Sequence, residues 1–379
     1  MLQFARRLGP VLALLISISV VAQAPKAEPM HVVFVNPGHN QTNNPTGGFW
    51  PEAGRFAEAV ALDLGIRLEI LYAGRSSFTM QSLVTEVINR QQKPDYLLLV
   101  NERFALNPLF AQIDAAGIPF FLAYNHFSKT LDRQPLPRQQ YRHWLGSLLP
   151  DNEYAGYQLA EHLLHSLPDG EARLLAYSGD DITSASTLRV KGLMRAVANH
   201  PGARLEHIEA GDWRYDTPLR KTPGLLRRYP QVNAIWAANG AMAMGVLAAL
   251  RKHPDLPEIN LASINWDADE VAALEEGSLF ASVGGHFMTA GWSLIMLYDY
   301  HHGLDFKDDG GLYQQRRLFE AVTRNNIKHY LPILHTRQWR NLNYRSLSKV
   351  YNSERPAYQF SLGQLLDSKA LIATQGIDH

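Results

Sequence analysis

HVVFVNPGHNQTNNPTGGFWPEAGRFAEAVALDLG, residues 31–65, passes from an apolar run through a polar, glycine- and proline-rich stretch into a helix-like pattern. Strand, loop and helix in that order make half of a parallel-sheet unit. The loop, NPGHNQTNNPTGGFW at 36–50, far exceeds the about two to six residues that normally join a strand to its helix. Its length marks it as functional, and it ends on two adjacent aromatics, Phe49 and Trp50. These rings admit two readings: a hydrophobic staple at a helix start, or an aromatic wall against the apolar face of a ligand.

Outward from this unit the same rhythm repeats. Strand candidates lie at 31–36, 67–72, 96–100 and 118–123, and a second series at 173–178, 204–209, 233–237, 260–264 and 279–284, with helical patterns between them. Alternation of this kind predicts an α/β fold of parallel sheets covered by helices on both faces. The polar, Pro-containing stretch HFSKTLDRQPLPRQQYRHW separates the two series as a crossover, so the expected architecture is two doubly wound lobes.

Ligands of open parallel sheets bind beyond the carboxyl ends of the strands. The residues there are the 36–50 loop with Phe49 and Trp50, then Asn101, Glu102, Tyr124, Asn125, Ser178 to Asp181, Asn239, Trp266, Asp267 and His286. Amides, indoles and a carboxylate suit a neutral polyhydroxylated molecule, whose hydroxyls meet planar donors and acceptors while its C–H face stacks on a ring. Each position also has a structural reading: Asn101 as a cap or turn former, Arg189 as a solvated helix residue. Repetition across successive strands is what favours binding.

Composition narrows the class. The 379 residues are 46% hydrophobic and 19% charged, enough for two cores. Lys+Arg and Asp+Glu both number 36, so no global field favours nucleic acid or an anionic membrane. Arg6 and Arg7 precede an apolar stretch from Val11 to Val21 and then small residues, the pattern of an export signal over residues 1–24, with cleavage expected after Ala22 or Ala24. With no cysteine there are no disulfides, thiol chemistry or lipobox anchor, and a periplasmic location is expected. No nucleophile elbow, Walker A or metalloprotease signature is present, so no enzyme, cofactor or metal is expected. His162 and His165, at a chelating spacing, are read as amphipathic surface residues.

Several stretches together resemble the type I periplasmic solute-binding proteins of the ribose and galactose group. LGSLLPDNEYAGYQLAEHLL resembles the segment that opens the family's second lobe. YSGDDITSASTLRVKGLMRAV is similar to the turn and helix carrying its ligand arginine, which falls on Arg189. YPQVNAIWAANGAMAMGVLAAL places Asn239 at its ligand amide, and LASINWDADEVAALEEGSLFASVGGHFMTAG places Asp267 at the aspartate that grips hydroxyls. Departures accompany the match. Gly240 stands where an acid commonly follows the amide, Tyr124 where a sugar-binding acid follows the fourth strand, with Asn125 replacing an arginine, and Gly285 or His286 where a polar side chain is common. The opening NPG with Trp50, Asn125 and Arg189 also resembles the autoinducer-2-binding periplasmic receptors.

The resemblance implies lobe one at 29–125 plus 287–315, lobe two at 126–286 plus 316–327, a three-strand hinge and a C-terminal extension at 328–379. It implies a monomer that captures a small sugar-like ligand with Phe49, Trp50, Asn101, Asn125, Arg189, Asn239, Asp267 and His286. The ligand passes to the membrane permease of an ABC importer; the alternative is a sensory subunit reporting to a membrane sensor kinase or cyclase. No nucleic-acid partner is expected.

Overall fold

The computed structural model describes residues 28–128, 135–168, 171–355 and 357–367, and the expected export signal lies outside them. In chain order the strands are β1 (His31–Asn36), β2 (Arg67–Tyr72), β3 (Tyr96–Leu99), β4 (Phe120–Ala123), β5 (Trp144–Pro150), β6 (Arg173–Ser178), β7 (Arg204–Ala210), β8 (Ala234–Ala237), β9 (Asn260–Asn265), β10 (Ala281–Gly284), β11 (Tyr313–Arg316) and β12 (Glu320–Thr323). The helices are α1 (Phe49–Leu64), α2 (Ser77–Ile88), α3 (Phe110–Ala115), α4 (Asn152–Leu164), α5 (Ser184–Asn199), α6 (Asp216–Arg228), α7 (Gly240–Lys252), α8 (Ala268–Glu276), α9 (Thr289–His301) and α10 (Ile327–Thr336).

The strands form two six-stranded sheets, ordered β11-β5-β4-β3-β1-β2 and β12-β10-β9-β8-β6-β7. All pairs are parallel except β10 with β12. Strands such as Val32–Val35 and Leu97–Leu99 are buried on both faces, which is why their sequences are continuous apolar runs instead of alternating ones. Val33, Val35, Leu97 and Leu99 face one core layer, with Met80 and Phe110. Val32, Phe34 and Leu98 face the layer shared with α1 and α9.

One expected boundary is corrected. β5 pairs with β4 and β11 in the first sheet, so lobe two does not begin at residue 126. All seven residues of β5 are buried, and a fully buried run joins whichever sheet edge can cover it. The preceding polar stretch, where described, lies over that same sheet: Phe127 stacks on Phe110 and Trp144, and Arg138 pairs with Asp305 at 2.6 Å. The chain crosses between sheets at Pro150–Asn152, at Gly284–Thr289 and at Arg316–Glu320, the three-strand hinge.

After β12 the extension first packs α10 on α8 of the second lobe. It then reaches the first, where Trp339 Nε1 donates to the Glu52 carboxylate and its ring meets Phe56 and Phe287 at 5.6 and 5.4 Å. The backbone N–H groups of Tyr344 and Arg345 donate to Asp63 at 2.8 and 3.0 Å. The Tyr358 hydroxyl donates to Asp299 at 2.8 Å, and the Leu362 N–H to Glu320 on β12 at 3.0 Å. Trp339, Tyr344 and Tyr358 are buried, so these rings are packing material, while Tyr351 stays 45% exposed.

Truncating Trp339 to Ala removes a buried ring and leaves Glu52 short of a donor. We expect a loss of about 3–5 kcal/mol in urea denaturation. An unchanged midpoint would make the extension an appendage and not part of the core.

Candidate functional site

Between the lobes lies a cavity of about 590 Å³, its opening to solvent included. Its first-lobe wall is Phe49 and Trp50 at the start of α1, Arg75 after β2, Glu102 after β3, and Tyr124 and Asn125 after β4. The second-lobe wall is Thr183, Ala185 and Arg189 along α5, Trp213 after β7, Asn239 after β8 and Asn265 ending β9. Pro150, Asn152 and His286 come from the hinge crossings. Every lining strand end is a carboxyl end, as parallel-sheet topology requires.

Strand ends here are bent sharply. Arg75, Arg103, Tyr124, Trp213 and Trp266 take φ of 66°, 52°, 68°, 62° and 83°, a region side-chain-bearing residues rarely occupy. Clustering of such residues around one cleft is typical of sites where surrounding contacts impose the geometry.

The 36–50 loop is held at both ends by one amide: Asn36 Nδ2 donates to Trp50 O at 3.0 Å, and its Oδ1 accepts from Gly38 N–H at 2.9 Å. Asn44 orders the middle, donating to Gly47 O at 2.8 Å and accepting from Thr46 N–H at 2.9 Å. The loop then touches the opposite lobe. Tyr215 N–H donates to Pro45 O at 3.1 Å, and a Cβ added to Gly47 would lie 3.2 Å from Asp267 Oδ2. Arg103 of lobe one also pairs with Asp180 of lobe two. The lobes are therefore closed on each other.

Trp50 lies so close over Gly38 that a Cβ there would come within 2.1 Å of it. Its ring meets Phe49 edge-on at 4.9 Å and Tyr124 at 5.1 Å. A staple needs an apolar residue one before the cap, but the cap is Gly48 and Gly47 precedes it. The aromatic-wall geometry is the one present. Phe49 lies against His286 at 4.6 Å, and His286 against Phe319 at 4.4 Å.

Arg75 pairs with Glu102 at 2.6 Å, and Glu102 also accepts from Asn125 Nδ2 at 2.8 Å. Opposite, Arg189 is 4% exposed. Its Nε donates to Asn152 Oδ1 at 2.9 Å, Nη1 to Ala238 O at 2.6 Å and Nη2 to His286 Nε2 at 2.9 Å. Burial pulls the guanidinium down to about 9, still charged at neutral pH. Burial, and then the Arg189 charge, hold His286 well below its usual range and therefore neutral. Arg189 reaches this place because α4 and α5 pack backbone to backbone: a Cβ on Gly156 would meet Arg189 O at 2.0 Å, and one on Gly192 would meet Glu153 O at 2.0 Å.

Of the residues expected from sequence, Phe49, Trp50, Asn125, Arg189, Asn239 and His286 line the cavity. Asn239 does so while capping α7, its Oδ1 accepting from Met242 N–H at 2.9 Å. Asn101 and Asp267 do not line it. Asn101 braces a turn, donating to Phe127 O at 3.0 Å and accepting from Leu106 N–H at 3.1 Å. Asp267 forms the capping box of α8 with Glu270, beneath Gly47 and Gly48. Thr46, Arg75, Asn152, Trp213 and Asn265 were not singled out beforehand. Arg75, Trp213 and Asn265 all end or follow expected strands, so the strand-end rule was a sufficient signal for them.

Among the described residues, Glu161, His165 and His200 bring possible ligand atoms within 4.8 Å of one another, outside the cavity lining. Both rings already use Nδ1 on a backbone carbonyl four residues earlier, at 2.7 and 2.9 Å. That is helix-end hydrogen bonding, in keeping with the surface reading of His165.

The sequence profile described as periplasmic binding protein domain matches residues 42–303. The ribose import binding protein RbsB of Escherichia coli (strain K12) is 26% identical over 229 residues, which cover 60% of this chain and 71% of that protein. The HTH-type transcriptional regulator CelR of Thermobifida fusca is 26% identical over 227 residues, 57% of this chain and 61% of the regulator's length. A periplasmic sugar-binding protein from Pseudomonas fluorescens superposes with a TM-score of 0.78 at 34% identity, covering 89% of this chain and 99% of that one. A galactofuranose binding protein, at 18% identity and a TM-score of 0.67, covers 81% of this chain and 99% of that one, and shares the fold.

Burial, followed by the neighbouring Glu270, pushes Asp267 up to about 7, with Arg337 opposing. In the unfolded chain the same carboxyl releases its proton near the ordinary value of 3.8. Between those values the folded state holds the extra proton, so this group's contribution to stability falls as pH rises from about 4 to about 7. Asp267→Asn keeps a capping side chain and abolishes the effect. Paired melts should show the wild type losing ground to the variant across that interval; parallel curves would mean the carboxyl ionises normally.

Proposed function

The chain belongs to the periplasmic binding protein family, and from that premise we propose that it captures a small, polar, sugar-like ligand between its lobes. The observation that carries the reading is a cavity whose aromatic wall comes from one lobe and whose arginine and capping amide come from the other. A ligand touching both walls stabilises the closed arrangement over the open one by exactly those contacts that opening would break, which is closure by population shift. Trp50 and Trp213 supply ring faces for C–H surfaces, and Asn125, Asn265 and the Arg75–Glu102 pair supply directional partners for hydroxyls. We place the protein in the periplasm as a monomer that hands its ligand to the permease of an ABC importer. The match to an import binding protein across most of that protein's length supports this destination over a sensor kinase or cyclase.

The reading is tested by isothermal titration with neutral monosaccharides and polyols (D-ribose, D-galactose, D-glucose, myo-inositol) and their acid derivatives. For the member that binds, Trp50→Ala should weaken affinity about tenfold, ~1.4 kcal/mol, with little change in melting temperature. A destabilised variant with unchanged affinity would assign Trp50 to packing. Small-angle scattering should show a more extended envelope without ligand than with it.

A further inference from the structure

We propose that the paired C-terminal ends of α4 and α5 hold a divalent transition-metal ion, zinc being the best fit, on Glu161, His165 and His200. The three residues lie on the second lobe, outside the cavity lining, so the site goes beyond ligand capture and does not depend on it.

Packing of backbone on backbone brings the three together. The close approach of α4 and α5 at Gly156 and Gly192 runs on to the helix ends, and each helix is closed by a histidine: His165 caps α4 and His200 caps α5. Glu161 stands one turn before His165, and each of its carboxylate oxygens faces one ring. Oε2 is 3.9 Å from His165 Nδ1, and Oε1 is 3.6 Å from His200 Nδ1. One ligand atom from each residue lies within 4.8 Å of the other two. The two rings are nearly perpendicular, at 87°, with centres 5.3 Å apart. Two imidazoles on one tetrahedral zinc, each at about 2.0–2.1 Å, have centres about 5 Å apart.

Three further observations point to a cation. Glu161 Oε1 is a buried oxygen with no hydrogen-bond partner. An unmatched buried carboxylate oxygen is costly, and a cation beside it removes that cost. Both helices also end here, so the partial negative charges of two C-termini meet, and neither last turn carries a lysine or arginine to offset them. Finally, two imidazoles and one carboxylate are a donor set for zinc, whereas magnesium and calcium take oxygen ligands.

Each Nδ1 now donates to a carbonyl of its own helix, His165 to Glu161 O at 2.7 Å and His200 to Ala196 O at 2.9 Å. Those bonds hold the rings in place beside the carboxylate. On metal binding the single ring proton resides on Nε2 and the Nδ1 lone pair goes to the ion. The His165 side chain is 69% exposed, which leaves room for water to complete the coordination. The ion would pin the far ends of the two helices, one of which, α5, carries Arg189 to the cavity.

The test uses the tag-free mature protein, stripped with a chelator and dialysed, and zinc chloride as the probe. We expect titration calorimetry to show one equivalent bound with a micromolar dissociation constant, and the melting temperature to rise with zinc but not with magnesium chloride. His165→Ala, His200→Ala and Glu161→Gln should each weaken zinc about tenfold or more, since a ligand matters at least as much as its outer partners do. His335→Ala, which removes a histidine facing Glu275 on the other side of the lobe's chain order, serves as the control and should leave zinc binding unchanged. Far-UV circular dichroism checks that each variant folds. No zinc bound at millimolar concentration overturns the site, and so does zinc that binds all three variants as well as the wild type. No sugar enters either readout, so failure here leaves ligand capture untouched.

Discussion

The structure turns on the placement of the Arg189 guanidinium. It bonds Asn152, which ends the first hinge crossing, and His286, which lies within the second, and it stands 5.7 Å from the ring of Phe319 in the third. One side chain thus stands beside all three strands that join the lobes. It can do so only because Gly156 and Gly192 let α4 and α5 approach until backbone meets backbone, which carries the arginine into the hinge and away from solvent. The consequence is a wall of the cavity whose position is tied to the hinge angle.

The opposite wall is built by different means. The 36–50 loop has little apolar material of its own, and its shape comes from the amides of Asn36 and Asn44 and from contact with the other lobe at Pro45 and Gly47. Local asparagine bonds fix the loop's curl, whereas its docking exists only when the lobes are together. Phe49 and Trp50 belong to α1 and remain with lobe one. Closure therefore brings a pre-shaped loop over a cavity whose rings are already positioned, so that ordering costs are met mainly within the fold and not at the moment of binding.

Legibility in the sequence followed burial. The buried strands β1, β3, β4, β6, β8, β9 and β10 are mainly apolar runs, whereas the edge strands β2 (RLEILY) and β7 (RLEHIEA) are half-buried and mix charged residues among apolar ones. β11 (YQQR) and β12 (EAVT) are short and polar and carry no periodic signal, and they pair only because the hinge delivers them to sheet edges. β5 (WLGSLLP) is not among the expected strands, its stretch being read only as the opening of lobe two, and which sheet it joins depends on long-range pairing that no local pattern encodes. Within the site, Trp50 is marked by its residue type and Arg189 by the resemblance of its helix to the family's. Asn101 and Asp267 stood out equally and yet brace a turn and cap a helix, because short polar side chains serve caps and ligands with the same atoms. Asn239 does both, which shows that a capping bond does not remove a residue from a cavity wall.

The C-terminal extension alters the mechanics of such a hinge. Beyond the three crossing strands, Arg337 donates to Trp266 O of lobe two at 2.6 Å while the neighbouring Trp339 is bonded to Glu52 of lobe one. The chain then returns to Glu320 on β12, where Ser361 donates at 2.9 Å. These contacts sit on buried groups, so an opening motion must either preserve them or leave charges such as Glu52 and Arg337 unpaired away from water. Apart from the extension, the lobes also meet where Arg103 pairs with Asp180 and where Tyr215 N–H donates to Pro45 O. The extension thus links the two lobes through buried contacts, and none of its described residues lines the cavity.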